Sequence, residues 1–175
     1  MIYFVKLGTM KSIIKTTLKT LEKAEIILSS LTDAQFSDAT LPPYFSSIGT
    51  HIRHILDFYD CIFNLNSENI IDLTARSRNK KVEQECHEAK TYLKVVIDKL
   101  QNYNYDMSKT VVVMDDLGQG KIEIPYTIGA LLAQANSHTI HHYAIINYIL
   151  SGLEIASADL EFGYNPTTPR PATFP

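Results

Sequence analysis

The chain has 175 residues, of which 45% are hydrophobic and 20% are charged, and its formal net charge is −3. This length and composition predict one globular domain over residues 1–175, large enough to fold without disulfides. The small negative charge, without a long basic run, argues against binding to nucleic acids or anionic membranes by charge alone.

The first ten residues, MIYFVKLGTM, are apolar but form only a short run. They contain one lysine and no small-residue cleavage site, so a signal peptide is a poor interpretation. We expect residues 1–10 to be a loose extension, with Met10 as an alternative start. No stretch approaches the roughly 20 apolar residues needed to cross a bilayer, and the expected location is the cytoplasm.

Amphipathic helices are predicted where apolar residues recur every three or four positions. The first is predicted over residues 11–30 and is followed by a break that ends at a proline pair. The second is predicted over residues 46–65, with Ser46 or Ser47 as the N-cap. Residues 70–81 show no regular period and are interpreted as irregular structure.

A β-hairpin is predicted between the last two helices. The third helix is expected over residues 82–100, and the period changes over residues 110–124, where β-branched residues flank the turn-forming run DDLGQG. This pattern predicts a small hairpin inserted before the last helix. In this interpretation Asp115 and Asp116 are turn residues and not metal ligands.

The overall pattern predicts a helical fold. The last helix is expected over residues 127–150, and the proline-rich tail at 153–175 cannot be helical and is expected to be extended. Four amphipathic segments and one hairpin predict an all-α four-helix bundle with a small inserted hairpin. Cys61 and Cys86 form no CxxC motif, so both are expected to be reduced thiols in or near the core.

Five of the six histidines fall in two clusters, one on each of two predicted helices. His138 and His142 lie one turn apart on the core-facing seam of the last helix, where they can chelate a single ion. A shared ion would satisfy two imidazoles that otherwise need separate hydrogen-bond partners. A lone histidine on such a seam is usually a satisfied core residue, but this pair and the second cluster together favour a metal site.

The third ligand is expected from the second helix, where His51 and His54 fit the seam equally well. No acidic residue lies near the histidines of the last helix, so that helix offers no carboxylate ligand. The run from His138 to His142 reads HTIHH and lacks the glutamate of an HExxH zinc protease. A metalloprotease is therefore disfavoured.

Four stretches of the sequence resemble the DinB-like (DinB/YfiT) family. SIGTHIRHILDFY at 47–59 resembles the second-helix signature, and SHTIHHYAII at 137–146 resembles the last-helix signature. Residues 72–78 and FGYNPTTPR at 162–170 are similar to one subgroup of the family. The resemblance implies a four-helix bundle that holds a metal with one histidine from the second helix and an HxxxH pair from the last.

Carried over residue by residue, the resemblance makes three histidines the ligands: His54, His138 and His142. Three protein ligands leave coordination positions open for water or substrate, which is typical of catalytic sites. One divalent ion is expected, zinc or nickel first, with manganese and iron also compatible with imidazole. The residues expected around the ligands or lining a pocket are His51, His141, Asp57, Arg76 and Arg78. The two arginines could hold an anionic group.

The resemblance also implies a class of function, because the family includes thiol S-transferases and isomerases that use low-molecular-weight thiols, and the iron-binding domain of sulfoxide synthases. We therefore expect a metal-dependent transferase or hydrolase with a small-molecule substrate such as a low-molecular-weight thiol. The alternatives are a non-catalytic metal-binding or stress-response protein and a purely structural bundle. A homodimer is expected, without nucleic-acid or membrane partners.

Overall fold

The computed structural model describes residues 2–157 and 159–169, with side chains from residue 12 onward. In chain order the helices are α1 (Ile2–Ser30), α2 (Asp33–Ser37), α3 (Ile48–Phe63), α4 (Lys80–Gln84), α5 (Cys86–Gln101) and α6 (Ile128–Gly152). The strands are β1 (Ile70–Asp72), β2 (Thr110–Asp116) and β3 (Lys121–Thr127). None of the helices in these ranges combines the length and apolar character that crossing a bilayer requires.

The four long helices surround a common apolar core. Both α1 and α3 pack against α5 and against α6. Along α3 the core-facing side chains recur every three or four positions and are at most 2% exposed: Ile48, Ile52, Ile55, Tyr59 and Ile62. The molecule is therefore mostly helical with a small sheet, because this periodicity gives each long helix one apolar face to bury.

The helix ends follow local capping chemistry. Helix α3 begins after Ser47, whose Oγ accepts a hydrogen bond from the Thr50 backbone N–H at 3.1 Å. One of the two predicted caps is therefore confirmed. Helix α1 begins at Ile2, whereas the sequence predicted a start at Lys11. The loose extension and the alternative start at Met10 stay predictions.

The predicted hairpin is present, and its turn is stabilised by one carboxylate. Strands β2 and β3 pair antiparallel, with Asp116 opposite Lys121. Asp116 Oδ1 accepts hydrogen bonds from the backbone N–H groups of Gly118 and Gly120. Both glycines have positive φ, 93° and 96°, which a residue without Cβ adopts at little cost. Asp116 is thus the last residue of β2, and its side chain stabilises the turn that follows.

The prediction of irregular structure over residues 70–81 was wrong in two places. Strand β1 pairs parallel to β2, with Ile71 opposite Val113, and makes the hairpin a three-stranded sheet. Helix α4 follows Asn79, whose side chain caps its first turn. The third predicted helix is also interrupted, because the backbone is extended at Glu85 between α4 and α5.

A close approach of α3 and α4 explains the glycine in the SIGTH motif. A Cβ at Gly49 would collide with the backbone carbonyl of Glu83 and lie 2.9 Å from the Phe36 ring. Glycine therefore allows α4 to lie directly against the first turn of α3. This contact places the loop between β1 and α4 beside the histidines of α3.

The described part of the tail packs on the helices. Phe162 is fully buried and stacks on Tyr143 of α6, with ring centroids 4.5 Å apart. Asp159 forms an ion pair of 3.2 Å with Lys23 of α1. Residues 159–169 therefore lie across α1 and α6 without helical structure, and the last six residues of the predicted extended tail lie outside the described part.

Both cysteines are free and buried, as predicted from their positions in the sequence. Burial raises the pKa of Cys61 and of Cys86 to about 11. Both thiols are therefore protonated near neutral pH, and a protonated thiol is a poor nucleophile.

Candidate metal centre

Three imidazoles from two neighbouring helices converge between α3 and α6. His54 lies on α3, and His138 and His142 lie one turn apart on α6. The Nε2 atom of His138 is 2.9 Å from Nε2 of His54 and 3.1 Å from Nε2 of His142. The ligand atoms that these residues offer all lie within 4.8 Å of one another.

These separations match what one ion requires of its ligands. Imidazole nitrogens bind zinc at about 2.0–2.1 Å, so two nitrogens on the same ion are roughly 3 Å apart or slightly more. The two Nε2–Nε2 separations from His138 already have this spacing, and all three side chains are half-buried. The donor set therefore fits a divalent ion without a rearrangement of either helix.

Burial keeps these histidines neutral, which is the form that binds metal. Desolvation is the main cause in each case. It lowers the pKa of His54 to about 3, with Arg76 as the next cause, and the pKa of His142 to about 2, with His138 as the next cause. The pKa of His138 is also lowered, by burial and then by His141, while Asp115 acts in the opposite direction.

His51 contacts the candidate ligand His142 but is not one of the three histidines whose ligand atoms converge. Its Nδ1 is 2.8 Å from Nδ1 of His142, and its Nε2 is 2.9 Å from Oγ of Ser46. His51 therefore links His142 to the segment that precedes α3. Of the two alternatives on the second helix, the geometry brings His54 into the cluster and places His51 behind His142.

Arg76 reaches the cluster from the loop that follows β1. Its Nη1 is 3.3 Å from Nδ1 of His54, and its Nε donates to the carbonyl of Leu73 at 2.9 Å. The Arg78 side chain is exposed, and it is the backbone N–H of this residue that makes a described contact, to Asp57. The two arginines that the sequence grouped together are therefore not equivalent.

Asp57 was expected around the ligands or lining a pocket, and its described hydrogen bonds instead connect separate elements of the fold. Its buried carboxylate accepts hydrogen bonds from Arg53 at 3.1 Å, from the Arg78 backbone at 3.1 Å and from the Tyr92 hydroxyl at 3.2 Å. These contacts join α3, α5 and the loop that carries Arg76. Asp57 therefore holds the loop in place, and none of its described hydrogen bonds goes to a histidine.

Two more side chains lie beside the candidate ligands, His141 on α6 and Phe58 on α3. The exposed His141 has its ring 5.4 Å from the ring of His142. On the opposite helix the Phe58 ring lies 5.2 Å from the ring of His138 and limits how that imidazole can turn. His141 thus lies beside His142 and is not one of the three clustered histidines, and its expected role around the ligands stays a prediction.

Sequence reasoning missed the roles of Ser46 and Asp115. Ser46 was considered only as a helix cap, yet it is the partner of His51. Asp115 was assigned to the turn, but it lies within β2, and its charge acts on His138. Neither role has a local signal, because each depends on how separate elements pack together.

The family assignment comes from comparison with known sequences. The sequence profile of the DinB superfamily matches residues 16–146, which is more than half of the chain. The chain belongs to the DinB superfamily. The matched range contains the three clustered histidines, His51 and the β1–α4 loop, whereas the resemblance at residues 162–170 lies outside it. Comparison with curated proteins finds no match.

Proposed function

We propose that this DinB superfamily protein binds one divalent metal ion through His54, His138 and His142. The observation that carries the proposal is the convergence of three Nε2 atoms, with neighbouring separations of 2.9 and 3.1 Å. Zinc or nickel is the first expectation, and manganese and iron suit the same ligands. We further propose that α1, α3, α5 and α6 correspond to the four-helix bundle of the family.

The proposed activity is transfer of a thiol or hydrolysis of a small molecule at this ion. With three protein ligands, a bound ion supplies open positions and Lewis acidity that can activate a thiol or water. The protein's own contribution is to hold three neutral imidazoles, to place Arg76 beside them and to shield one side with Phe58. A low-molecular-weight thiol is the proposed co-substrate.

One observation favours the alternative, a metal-binding protein without catalysis. The two buried carboxylates that flank the Arg76 loop are both engaged: Asp57 by Arg53, Arg78 and Tyr92, and Glu83 by Arg53 and Lys80. Neither carboxylate is therefore free to take a proton from a metal-bound nucleophile. Under this alternative the ion would serve stability or sensing.

The site is tested by titrating metal-free protein with zinc, nickel, manganese and ferrous ions, with calorimetry as the measurement. We expect one ion per chain and at least a 100-fold weaker affinity in His138→Ala. His87→Ala is the matched control, because His87 is an exposed histidine of α5 outside the cluster. Equal affinity of His138→Ala and the unmodified protein would exclude the proposed site.

Catalysis is tested on the loaded protein with a panel of electrophiles and low-molecular-weight thiols, followed by thiol consumption. Turnover that is lost in His138→Ala would support the enzyme. Absence of turnover with metal bound would favour the non-catalytic alternative. The homodimer and the cytoplasmic location stand as proposals too, and sedimentation of the purified protein tests the first.

A further inference from the structure

The contact between Arg76 and His54 restricts where the proton of His54 can be. A guanidinium group stays charged and can only donate hydrogen bonds. Arg76 Nη1 lies 3.3 Å from His54 Nδ1, so in this arrangement Nδ1 must be the acceptor and carry no proton. The Arg76 side chain is held in this position by its second contact, from Nε to the Leu73 carbonyl.

The proton of His54 is therefore on the other nitrogen. An imidazole whose Nδ1 accepts a hydrogen bond is neutral and carries a single proton. With Nδ1 accepting, that proton is on Nε2, the atom that lies 2.9 Å from Nε2 of His138. A metal ion needs the lone pair of this same atom. The Arg76 contact and coordination through Nε2 of a neutral His54 thus exclude each other.

The corresponding contacts of His142 impose no such restriction. Its Nδ1 meets His51 Nδ1, and His51 Nε2 meets the Ser46 hydroxyl. Each of these three groups can donate or accept, so the chain of hydrogen bonds can run in either direction. With a proton on His142 Nδ1, the chain leaves the Nε2 lone pair free for an ion. The Arg76 guanidinium, by contrast, can only donate a hydrogen bond to His54.

We infer that metal loading releases the Nη1 end of Arg76 from His54. The released end then binds a carboxylate group of the small molecule that occupies the site. The His54 ring stays neutral, because its proton moves from Nε2 to Nδ1 through solvent. The guanidinium fork suits a carboxylate, which it can bind with two parallel hydrogen bonds. Metal and carboxylate binding then strengthen each other, since each favours the released position of Arg76. This inference rests on the proposed metal site.

The test compares zinc affinity and His54 tautomer in Arg76→Gln, in Arg78→Gln and in the unmodified protein. Arg78→Gln is the matched control. It removes the same charge two residues further along the chain, and the Arg78 side chain is exposed. Without carboxylates, we expect Arg76→Gln to bind zinc at least threefold more tightly, and Arg78→Gln to match the unmodified protein. Acetate, compared with perchlorate at equal ionic strength, should strengthen zinc binding by the unmodified protein and not by Arg76→Gln.

Nitrogen NMR of the histidine rings provides a readout independent of affinity. In the metal-free unmodified protein we expect His54 protonated on Nε2, and after zinc loading on Nδ1. Unchanged or weaker zinc binding by folded Arg76→Gln would overturn the inference, as would an Nδ1–H tautomer in the metal-free protein. A gain in affinity with no tautomer change would reduce Arg76 to a simple charge effect and also overturn it. Absence of zinc binding by the unmodified protein would instead refute the metal site, and this inference with it.

Discussion

At the residue scale, the two ring nitrogens of a ligand histidine have separate tasks. One binds the ion, and the partner of the other fixes the ring orientation and tautomer. For His142 that partner is His51, at 2.8 Å between the two Nδ1 atoms, and His51 is in turn held by Ser46. In the proposed metal site, His51 would therefore position His142 rather than bind the ion.

Replacement of His51 separates a positioning role from a ligand role. We expect His51→Leu to weaken zinc binding by about 10–100-fold, because His142 loses the partner of its Nδ1. His51→Asn should bind almost as tightly as the unmodified protein, since the asparagine oxygen can accept from His142 at the place of the lost Nδ1. Calorimetric titration measures both affinities.

The two variants also discriminate against the remaining alternative. A metal ligand at His51 would make His51→Asn as defective as His51→Leu and as His54→Ala. If His51→Leu and His51→Asn both bind zinc as tightly as the unmodified protein, the contact with His142 has no role in binding. Thermal unfolding of each variant, without metal, checks that the fold is retained.

At the scale of elements, Asp57 is the junction that holds the Arg76 loop against α3 and α5. Its buried carboxylate receives donors from all three parts of the structure. The loop contains little regular structure between β1 and α4, so its position beside His54 depends on these contacts and on the pairing of β1 with β2. The position of Arg76 thus depends on α3, on α5 and on the pairing of β1 with β2.

Removal of the Asp57 charge should destabilise this junction. We expect Asp57→Asn to lower the free energy of unfolding by about 3 kcal/mol, because Arg53 then keeps only Glu83 as a carboxylate partner, and the other two donors to Asp57 lose a charged acceptor. Asp60→Asn is the control on the same helix, since Asp60 pairs with the more exposed Lys99 and should cost below about 1 kcal/mol. Urea unfolding measures both, and equal losses would contradict the assigned role of Asp57.

The long helices could be predicted because the repeat of apolar residues is local to each segment. His138 and His142 could be paired for the same reason, since a spacing of four places two side chains on one face. Strand β1 could not, because three residues have no measurable period and their partner in β2 is distant in the sequence. The choice between His51 and His54 needed the packing of α3 on α6, because both face the same side of α3.

At the scale of the whole molecule, the buried neutral histidines link folding to pH. The pKa values of His51, His54, His138 and His142 are all lowered from 6.5, chiefly by burial. Below about pH 6.5 the unfolded chain therefore binds protons that the folded protein does not. The free energy of unfolding is unaffected by these groups above that pH and falls as the pH is lowered toward the folded-state values.

We therefore expect metal-free protein to be less stable at pH 5 than at pH 7.5, as measured by urea unfolding in the presence of a chelator. His142→Asn should show a smaller difference between the two pH values, since one of the buried titrating groups is gone. His87→Asn, which removes an exposed histidine, should keep the full difference. Equal or greater stability at pH 5 would show that these histidines are not held neutral by the fold.

The most direct test of the metal site is a crystal structure of zinc-loaded protein with anomalous data collected at the zinc edge. We predict one anomalous peak per chain, between α3 and α6, at about 2.0–2.1 Å from the Nε2 atoms of His54, His138 and His142. A main peak on other residues, or no peak at this position at saturating zinc, would contradict the account.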